Sequence, residues 1–273
     1  MRLTVIGCTG SFAGPDSPAS CYLVEAPFEG RTYRLLVDLG SGAFGPLQRY
    51  STIRDIDAIA LSHLHADHCF DMSGFYVVSR YHPDGAFDRI PVHAPEGAGD
   101  FLVAAYGVEE NTGMRAQFDF QAWQDGGTVQ LGPFTVTSAR VNHPVPGLGP
   151  RAPQPAPPAR QTPPAPAFAT RPATADRTLA YSGDTGPTDA LLDLVAGADA
   201  FLCEASFVES GTNPPNLHLT GAEAGHYATQ GGVGRLLVTH IPTWTDRAEV
   251  ETDVKTTWDG PYDLVTAGET YDL

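Results

Sequence analysis

The chain has 273 residues, 42% of them hydrophobic, which is enough for a substantial core and too many for a wholly disordered polymer. Sixteen Lys and Arg face 32 Asp and Glu, and the formal net charge of −16 repels polyanions at long range, which argues against generic nucleic-acid coating. Four scattered cysteines, Cys8, Cys21, Cys69 and Cys203, form no C-x-x-C pair; they fit neither a thiolate zinc site nor a disulfide framework and suit a reducing cytoplasm. Val5-Ile6-Gly7-Cys8 matches a lipoprotein cleavage box, but no apolar run precedes it, and no stretch approaches the length of a membrane span.

Short β-branched runs at 3–6, 22–25, 34–38 and 58–61, each closed by Gly, Ser, Pro or a charged residue, predict strands. Further strands are predicted at 90–93, and at 128–131 and 134–141 around the hairpin signal Gly132-Pro133. Between Pro144 and Pro172 stand eleven of the chain's 24 prolines, a composition that predicts neither helix nor central strand. This segment carries Arg151, Arg160 and Arg171 without an acid, so it reads as a locally basic insertion loop at about 144–172. It is either a solvated loop or an arm that handles substrate, since it starts directly after His143. Beyond it the pattern alternates: strand 178–182, helix 187–196 with Pro at its start, strand 200–203, then a helix from the cap Thr220 to about Gln230 with Glu223 at the capping-box position. Strand 235–239, helix 246–258 and strand 263–267 complete a single α/β domain over 1–273 with two sheets' worth of strands.

The chemistry gathers at Ser62-His63-Leu64-His65-Ala66-Asp67-His68, directly after the buried run 59–61. Four ligand-type side chains fall within six residues. Alternate residues at a strand end share a face, so His63 and His65 can meet one metal, while the following turn brings Asp67 and His68 to a second. His143, Asp184 and His240 each close a predicted strand, and a carboxylate such as Asp184 can bridge two cations about 3.5–4 Å apart. Such ligands suit Zn, with Mn or Fe as alternatives.

The order H-x-H-x-D-H, single His, G-D-T and final T-H-I resembles the metallo-β-lactamase superfamily over nearly the whole chain, and within it the phosphodiesterase branch of ribonuclease Z and the bacterial cyclic-nucleotide phosphodiesterases. The resemblance implies an αββα sandwich holding two divalent metal ions: His63, His65 and His143 on one, Asp67, His68 and His240 on the other, Asp184 between them. Asp38 in Asp38-Leu39-Gly40 resembles the D-x-G segment whose Asp supports the ligands, although an ordinary turn Asp would look the same. Leu202-Cys203-Glu204-Ala205-Ser206 resembles the E-A-T segment, with Cys203 where that family often has His. His218-Leu219-Thr220 resembles the H-S-T segment whose His protonates the leaving oxygen, with Leu219 in place of Ser. Catalytic roles then fall to Asp67 as proton acceptor, His218 as general acid and Glu204 as the residue that orients it; a plain helix flank is the other reading of His218.

The implied reaction is hydrolysis of a small phosphodiester, foremost a 3′,5′-cyclic nucleotide such as cAMP. A tRNA 3′-endonuclease is the runner-up. Ribonuclease Z inserts a long glycine-rich, basic arm between its third-motif His and G-D-T, whereas only 40 mostly Pro- and Ala-rich residues separate His143 from Asp184 here. Lactone, thioester or sulfate-ester hydrolysis and non-catalytic metal-dependent binding also suit the fold. Related phosphodiesterases are often homodimers, and Phe44, Tyr50, Phe75 and Tyr76 serve either such a contact or the core. His82 belongs to the pocket or the surface, His93 to a strand end shaping the rim, and His226 has no ligand partner.

Overall fold

A computed structural model describes residues 1–107, 114–145, 165–209 and 212–273. The first sheet contains β1 (Arg2–Gly7), β2 (Cys21–Phe28), β3 (Arg31–Val37), β4 (Ala58–Ala60), β5 (Ile90–Ala94) and β6 (Phe118–Ala122). The second contains β7 (Thr128–Leu131), β8 (Phe134–Val145), β9 (Ala165–Ala173), β10 (Leu179–Tyr181), β11 (Ala200–Glu204), β12 (Leu236–Thr239) and β13 (Tyr262–Leu264); β14 (Thr270–Asp272) returns to pair with β1. The orders are β14-β1-β2-β3-β4-β5-β6 and β13-β12-β11-β10-β9-β8-β7. In each sheet an antiparallel ribbon gives way to parallel strands, from β3 to β6 and from β10 to β13.

Alternation along the strands explains the layers. In β3, Leu35 and Val37 enter the core between the sheets, together with Phe134, Leu179 and Leu202, while Leu36 points to the opposite core. In β11, Ala200 and Leu202 face between the sheets, while Phe201 and Cys203 face away. Both faces are apolar, which is why these strands read as unbroken hydrophobic runs. The outer cores are covered by α1 (Phe44–Leu47), α2 (Ala66–Cys69), α3 (Met72–Tyr81) and α4 (Ala98–Tyr106) on one side, and by α5 (Asp189–Val195), α6 (Gly221–Gly231) and α7 (Arg247–Lys255) on the other. The expected αββα sandwich is therefore the observed one. No helix among the described residues is long and apolar enough to cross a membrane.

The predicted capping box holds: Thr220 Oγ1 accepts from Glu223 N at 3.2 Å and Glu223 Oε2 accepts from Thr220 N at 2.9 Å. One expectation is corrected. The C-terminal part of the Pro-rich segment is not a loop but β9, an interior strand between β8 and β10. Pro166 and Pro172 stand one residue in from its two ends, and β10 is only three residues long and pairs with β9 at Thr170, so few ladder donors are demanded of them. Arg151 and Arg160 lie outside the described residues, while Arg171 donates to Leu194 O at 2.7 Å and Ala196 O at 2.9 Å. The helices α3 and α4 and the strands β6 and β14 had no sequence prediction. Phe75 and Tyr76 are buried in the core with Phe44 packed on it, which leaves Tyr50 as the exposed one of the four aromatics singled out.

Gly40 couples the sheet to the helix beyond it, since a Cβ there would lie 1.9 Å from Asp67 O and 3.0 Å from Ser20 O, both backbone atoms. Gly40→Ala is expected to cost about 1–3 kcal/mol by overpacking, a fall in Tm of roughly 2–12 °C for a chain of this size. Thermal unfolding checks this, and an unchanged Tm would mean that the Asp67 turn yields freely.

Candidate metal centre

The carboxyl ends of β3, β4, β8, β10, β11 and β12 open on one edge of the sandwich, with His143 and Glu204 near the ends of strands β8 and β11 and the other predicted site residues in the segments that follow the strands. His63 and His65 lie in the loop after β4 rather than in the strand itself, and His65 is the N-cap of α2, whose single turn swings Asp67 and His68 inward. Asp38 and His240 follow β3 and β12 in left-handed backbone, with φ of 56° and 57°. That conformation is costly for residues with a Cβ and is tolerated where the surroundings fix it.

Two groups of ligand-type atoms result. In the first, His65 Nδ1 lies 3.0 Å from His63 Nε2 and 3.1 Å from His143 Nε2, and Asp184 Oδ2 approaches His63 Nε2 at 3.7 Å and His143 Nε2 at 3.9 Å. In the second, His68 Nε2 and His240 Nε2 are 3.2 Å apart, each near Asp67 Oδ2 (3.4 and 3.2 Å) and Asp184 Oδ1 (3.2 and 3.3 Å). Asp184 therefore gives one oxygen to each group. Its Oδ1 is buried and forms no hydrogen bond of good geometry. Converging imidazole nitrogens around an unsatisfied carboxylate oxygen are poor company without a cation, and two His/Asp sets of this kind can hold a metal pair.

The outward ring nitrogens of His63, His68, His143 and His240 are held from behind, which fixes tautomer and orientation. His68 Nδ1 donates to Asp38 Oδ2 at 2.7 Å, His143 Nδ1 to Leu217 O at 2.7 Å, and His240 Nδ1 meets Ser206 Oγ at 2.8 Å. Asp38 also accepts from Ser62 N at 2.7 Å, Ser62 Oγ at 2.8 Å and Tyr181 OH at 2.8 Å, and Ser62 Oγ in turn reaches His63 Nδ1 at 3.1 Å. Asp38 thus steadies a histidine of each group, one directly and one through a serine. Ser62, Tyr181 and Ser206 were not anticipated. Ser62 and Ser206 adjoin matched motifs and could have been suspected; the Tyr181 contact crosses from the second sheet and leaves no local trace.

Glu204 is fully buried. It accepts from Thr185 N at 2.7 Å and Ser206 Oγ at 2.9 Å, and both of its oxygens lie 3.0 Å from His218 Nδ1. His218 Nδ1 is also 4.0 Å from Asp184 Oδ2, so the Glu204–His218 pair abuts the candidate metal groups. His93, by contrast, is a buried β5 residue stacked on Trp123 at 5.0 Å, His82 lies beside Asp84 Oδ2 at 3.7 Å, and His226 is on α6; none joins the cluster.

The electrostatics follow the packing. Burial and the neighbouring rings, chiefly His68, push His63 well below its ordinary pKa, and burial with His143 lowers His65 to about 4. Burial opposes a proton on His68, but Asp184, Asp67 and Asp38 outweigh it and raise its pKa well above the usual value. Burial alone would lift Asp67 and Asp184, yet His68, His240 and, for Asp184, also His63 hold them below the ordinary carboxylate range. For His218 burial is overcome by Glu204, with Asp184 adding to it, and the pKa rises to about 9.

Residues 33–241 match the beta-lactamase superfamily domain. The chain belongs to the beta-lactamase superfamily. An uncharacterized protein of Mycobacterium leprae is 42% identical over 276 residues, spanning 100% of this chain and 89% of its own length. A probable metallo-hydrolase of Bacillus subtilis, YhfI, is 26% identical over 274 residues, 98% of each chain, and a ribonuclease Z of Myxococcus xanthus is 27% identical over 309 residues, 100% of this chain and 98% of its own. Among solved structures, YhfI superposes with a TM-score of 0.79 at 24% identity over 99% of both chains. The short form of human tRNase Z reaches 0.70 at 18% over 100% and 99%, and yeast PDE1 0.69 at 14% over 100% and 99%. These three share the fold. Superfamily and donor set together make the protein a metal-dependent hydrolase.

Zinc titrated into metal-stripped protein should bind at two equivalents per chain by calorimetry, and Asp184→Ala should retain at most one of comparable affinity. Uptake must displace the proton that Asp184, Asp67 and Asp38 favour on His68, so affinity should weaken as pH falls. Two full equivalents in the variant would show that Asp184 does not join the groups.

Proposed function

We propose that the protein is a binuclear metallo-phosphodiesterase that opens 3′,5′-cyclic nucleotides such as cAMP to 5′-monophosphates. On this reading His63, His65 and His143 hold one divalent cation, Asp67, His68 and His240 the other, and Asp184 both, with zinc the first metal to test and Mn or Fe the alternatives. When bound, such a cation pair supplies Lewis acidity, which makes water nucleophilic near neutral pH and offsets charge building on a phosphoryl group.

The observation that carries the reading is the Glu204–His218 pair, a histidine inclined to keep its proton, set 4.0 Å from the shared carboxylate. Diester hydrolysis must expel an alkoxide, whose pKa is far above 7, and the departing oxygen needs a proton. His218 Nδ1 is held by Glu204, which leaves Nε2 as the atom that donates. Glu204 is a positioning residue, fixed in turn by Thr185 N and Ser206 Oγ. On this reading Asp67, beside His68 and His240, accepts the proton that the attacking water gives up. Asp38 acts on neither substrate nor water; it holds His68 and, through Ser62, His63.

The net charge of −16 and the short interval between His143 and Asp184 favour a small substrate over a tRNA, whose many phosphates call for a basic surface. The ribonuclease Z relatives keep the endonuclease as the second reading.

Turnover of cAMP, bis(p-nitrophenyl) phosphate and a 3′-extended precursor tRNA by the zinc-loaded protein decides between them. Hydrolysis of cAMP that Asp184→Ala loses supports the proposal, whereas cleavage of the tRNA with cAMP inert overturns it in favour of the endonuclease. His218→Ala should keep its metals and lose about 10²–10⁴-fold in kcat on cAMP, yet far less on the aryl diester, whose leaving group departs unprotonated. An equal loss on both would remove the acid role.

The alkaline limb of the kcat profile on cAMP should follow loss of the His218 proton. Glu204→Gln removes the carboxylate that raises its pKa, so the limb should move to lower pH. A limb that does not move, in a variant with its metals intact, separates Glu204 from the acid.

A further inference from the structure

Two exposed aromatic rings are carried on loops that contact His240 or its partner Ser206, and neither ring belongs to the ligand groups. Phe12 is 36% and Trp244 72% exposed, the latter the most exposed large hydrophobic side chain among the described residues. Their ring centroids are 4.8 Å apart at an interplanar angle of 40°. Burying such a pair is worth more than leaving it in water, and aromatic faces left open on an acidic protein are an unmet hydrophobic contact.

Both rings are tied to His240 by short stretches of backbone. Ser11, in left-handed conformation with φ 64°, aims its N–H at His240 Nε2 at 3.4 Å, and Phe12 follows at once with its own N–H on Gly10 O at 2.8 Å. Gly10 is packed so closely that a Cβ there would lie 2.4 Å from His240 O. Trp244 stands four residues after His240 in a turn closed by Thr245 N donating to Pro242 O at 2.9 Å. That turn is anchored by Thr245 Oγ1 donating to Ser206 O at 3.2 Å, and Ser206 is the residue that meets His240 Nδ1. The two loops touch again where a Cβ on Gly14 would lie 2.6 Å from Thr243 Cγ2. The pair is therefore a fixed platform braced against one of the metal-facing histidines, not two stray side chains.

The geometry points to Trp244 and Phe12 as the stacking platform for the planar ring of the substrate, the nucleobase when the substrate is a cyclic nucleotide. This rests on the functional reading above and adds the residues that would favour a ring-bearing diester over a bare one. A π-face is what every base offers, so a platform of this kind selects for an aromatic ring without distinguishing one base from another. It also suits an acidic chain, since stacking needs no basic side chain.

The test uses the zinc-loaded full chain, with cAMP and ribose 3′,5′-cyclic phosphate, which lacks the base, as paired substrates. Trp244→Ala should raise KM for cAMP about tenfold with kcat within twofold, in the range that loss of one stacked base gives, and the preference for cAMP over the baseless substrate should fall by a similar factor. Trp244→Phe should recover most of it. Separately, AMP added to the wild type should quench tryptophan emission, and the quench should vanish in Trp244→Phe, where Trp123 and Trp258 remain. An unchanged KM, an equal loss on the baseless substrate, or a quench that survives Trp244→Phe overturns the platform. Should cAMP prove inert, the functional reading fails by itself, and the AMP quench still decides whether Trp244 stacks a ring. A variant that alters only the molecular mass by light scattering, with KM and the AMP quench unchanged, assigns the pair to self-association instead.

Discussion

Four carboxylates, those of Asp38, Asp67, Asp184 and Glu204, are buried where the two sheets meet, and the rest of the site is arranged around the need to neutralise them. An ionised carboxylate removed from water is tolerated only against positive charge or several donors. Asp38 and Glu204 have donors: Ser62, Tyr181 and His68 for the first, Thr185, Ser206 and His218 for the second. Asp67 and Asp184 have mainly imidazole nitrogens, and Asp184 Oδ1 lacks even a well-formed hydrogen bond. Asp184, Asp67 and Asp38 together raise the proton affinity of His68, and the same negative charge would attract a cation. The two better-satisfied carboxylates thus support the site from behind, and the two worse-satisfied ones face its centre.

Topology explains how residues from Asp38 to His240 converge. In each half the antiparallel ribbon turns parallel, and parallel strands all end on the same edge. The loops after β3 and β4 come from the first sheet, and those after β10, β11 and β12 from the second. Contacts across the gap lock the two together: Tyr181 OH donates to Asp38 Oδ2, Tyr22 OH meets Thr239 Oγ1 at 2.7 Å, and Phe168 N donates to Ser62 O at 3.0 Å. The metal-facing groups are therefore a product of how the sheets are clamped, and a change at Gly40, which carries no chemistry, reaches them through Asp67 O.

Legibility in the sequence tracked locality. The H-x-H-x-D-H run, the G-D-T turn and the capping box lie within a few residues each, and their geometry was foreseeable from spacing and family likeness. The helices α3 and α4 were not, because their partly apolar segments follow the metal motif and a glycine-rich stretch without a strong cap: Asp71 and Gly97 give no side-chain cap hydrogen bond. β9 was misread for the opposite reason. Proline content correctly forbids a long interior strand with demanding neighbours on both sides, but it cannot reveal that β10 is short and that Pro166 and Pro172 fall near the ends. The Tyr181 contact leaves no local trace because it crosses a sheet boundary to Asp38, whereas Ser206 adjoins a matched motif and only its partner, 34 positions away, was out of reach.

A centre built for cations on a strongly acidic chain sets up a distinction of scale. The net charge acts over distances longer than the screening length, about 8 Å at physiological ionic strength, and there it disfavours any partner whose charge is spread over many phosphates. A small diester feels mainly the field inside the cleft, where a cation pair would reverse the sign within a few ångströms, and it needs no basic surface to be drawn in. What such a substrate lacks is contact area, since one phosphate and one sugar fill little of an open edge. Neutral features at the rim are then the economical way to hold it, and the exposed rings of Phe12 and Trp244, braced on the loop of a metal-facing histidine, are of that kind. On the proposed reading, charge would limit the size of the substrate, while the uncharged rim would give the site a means of recognising what the phosphate is attached to.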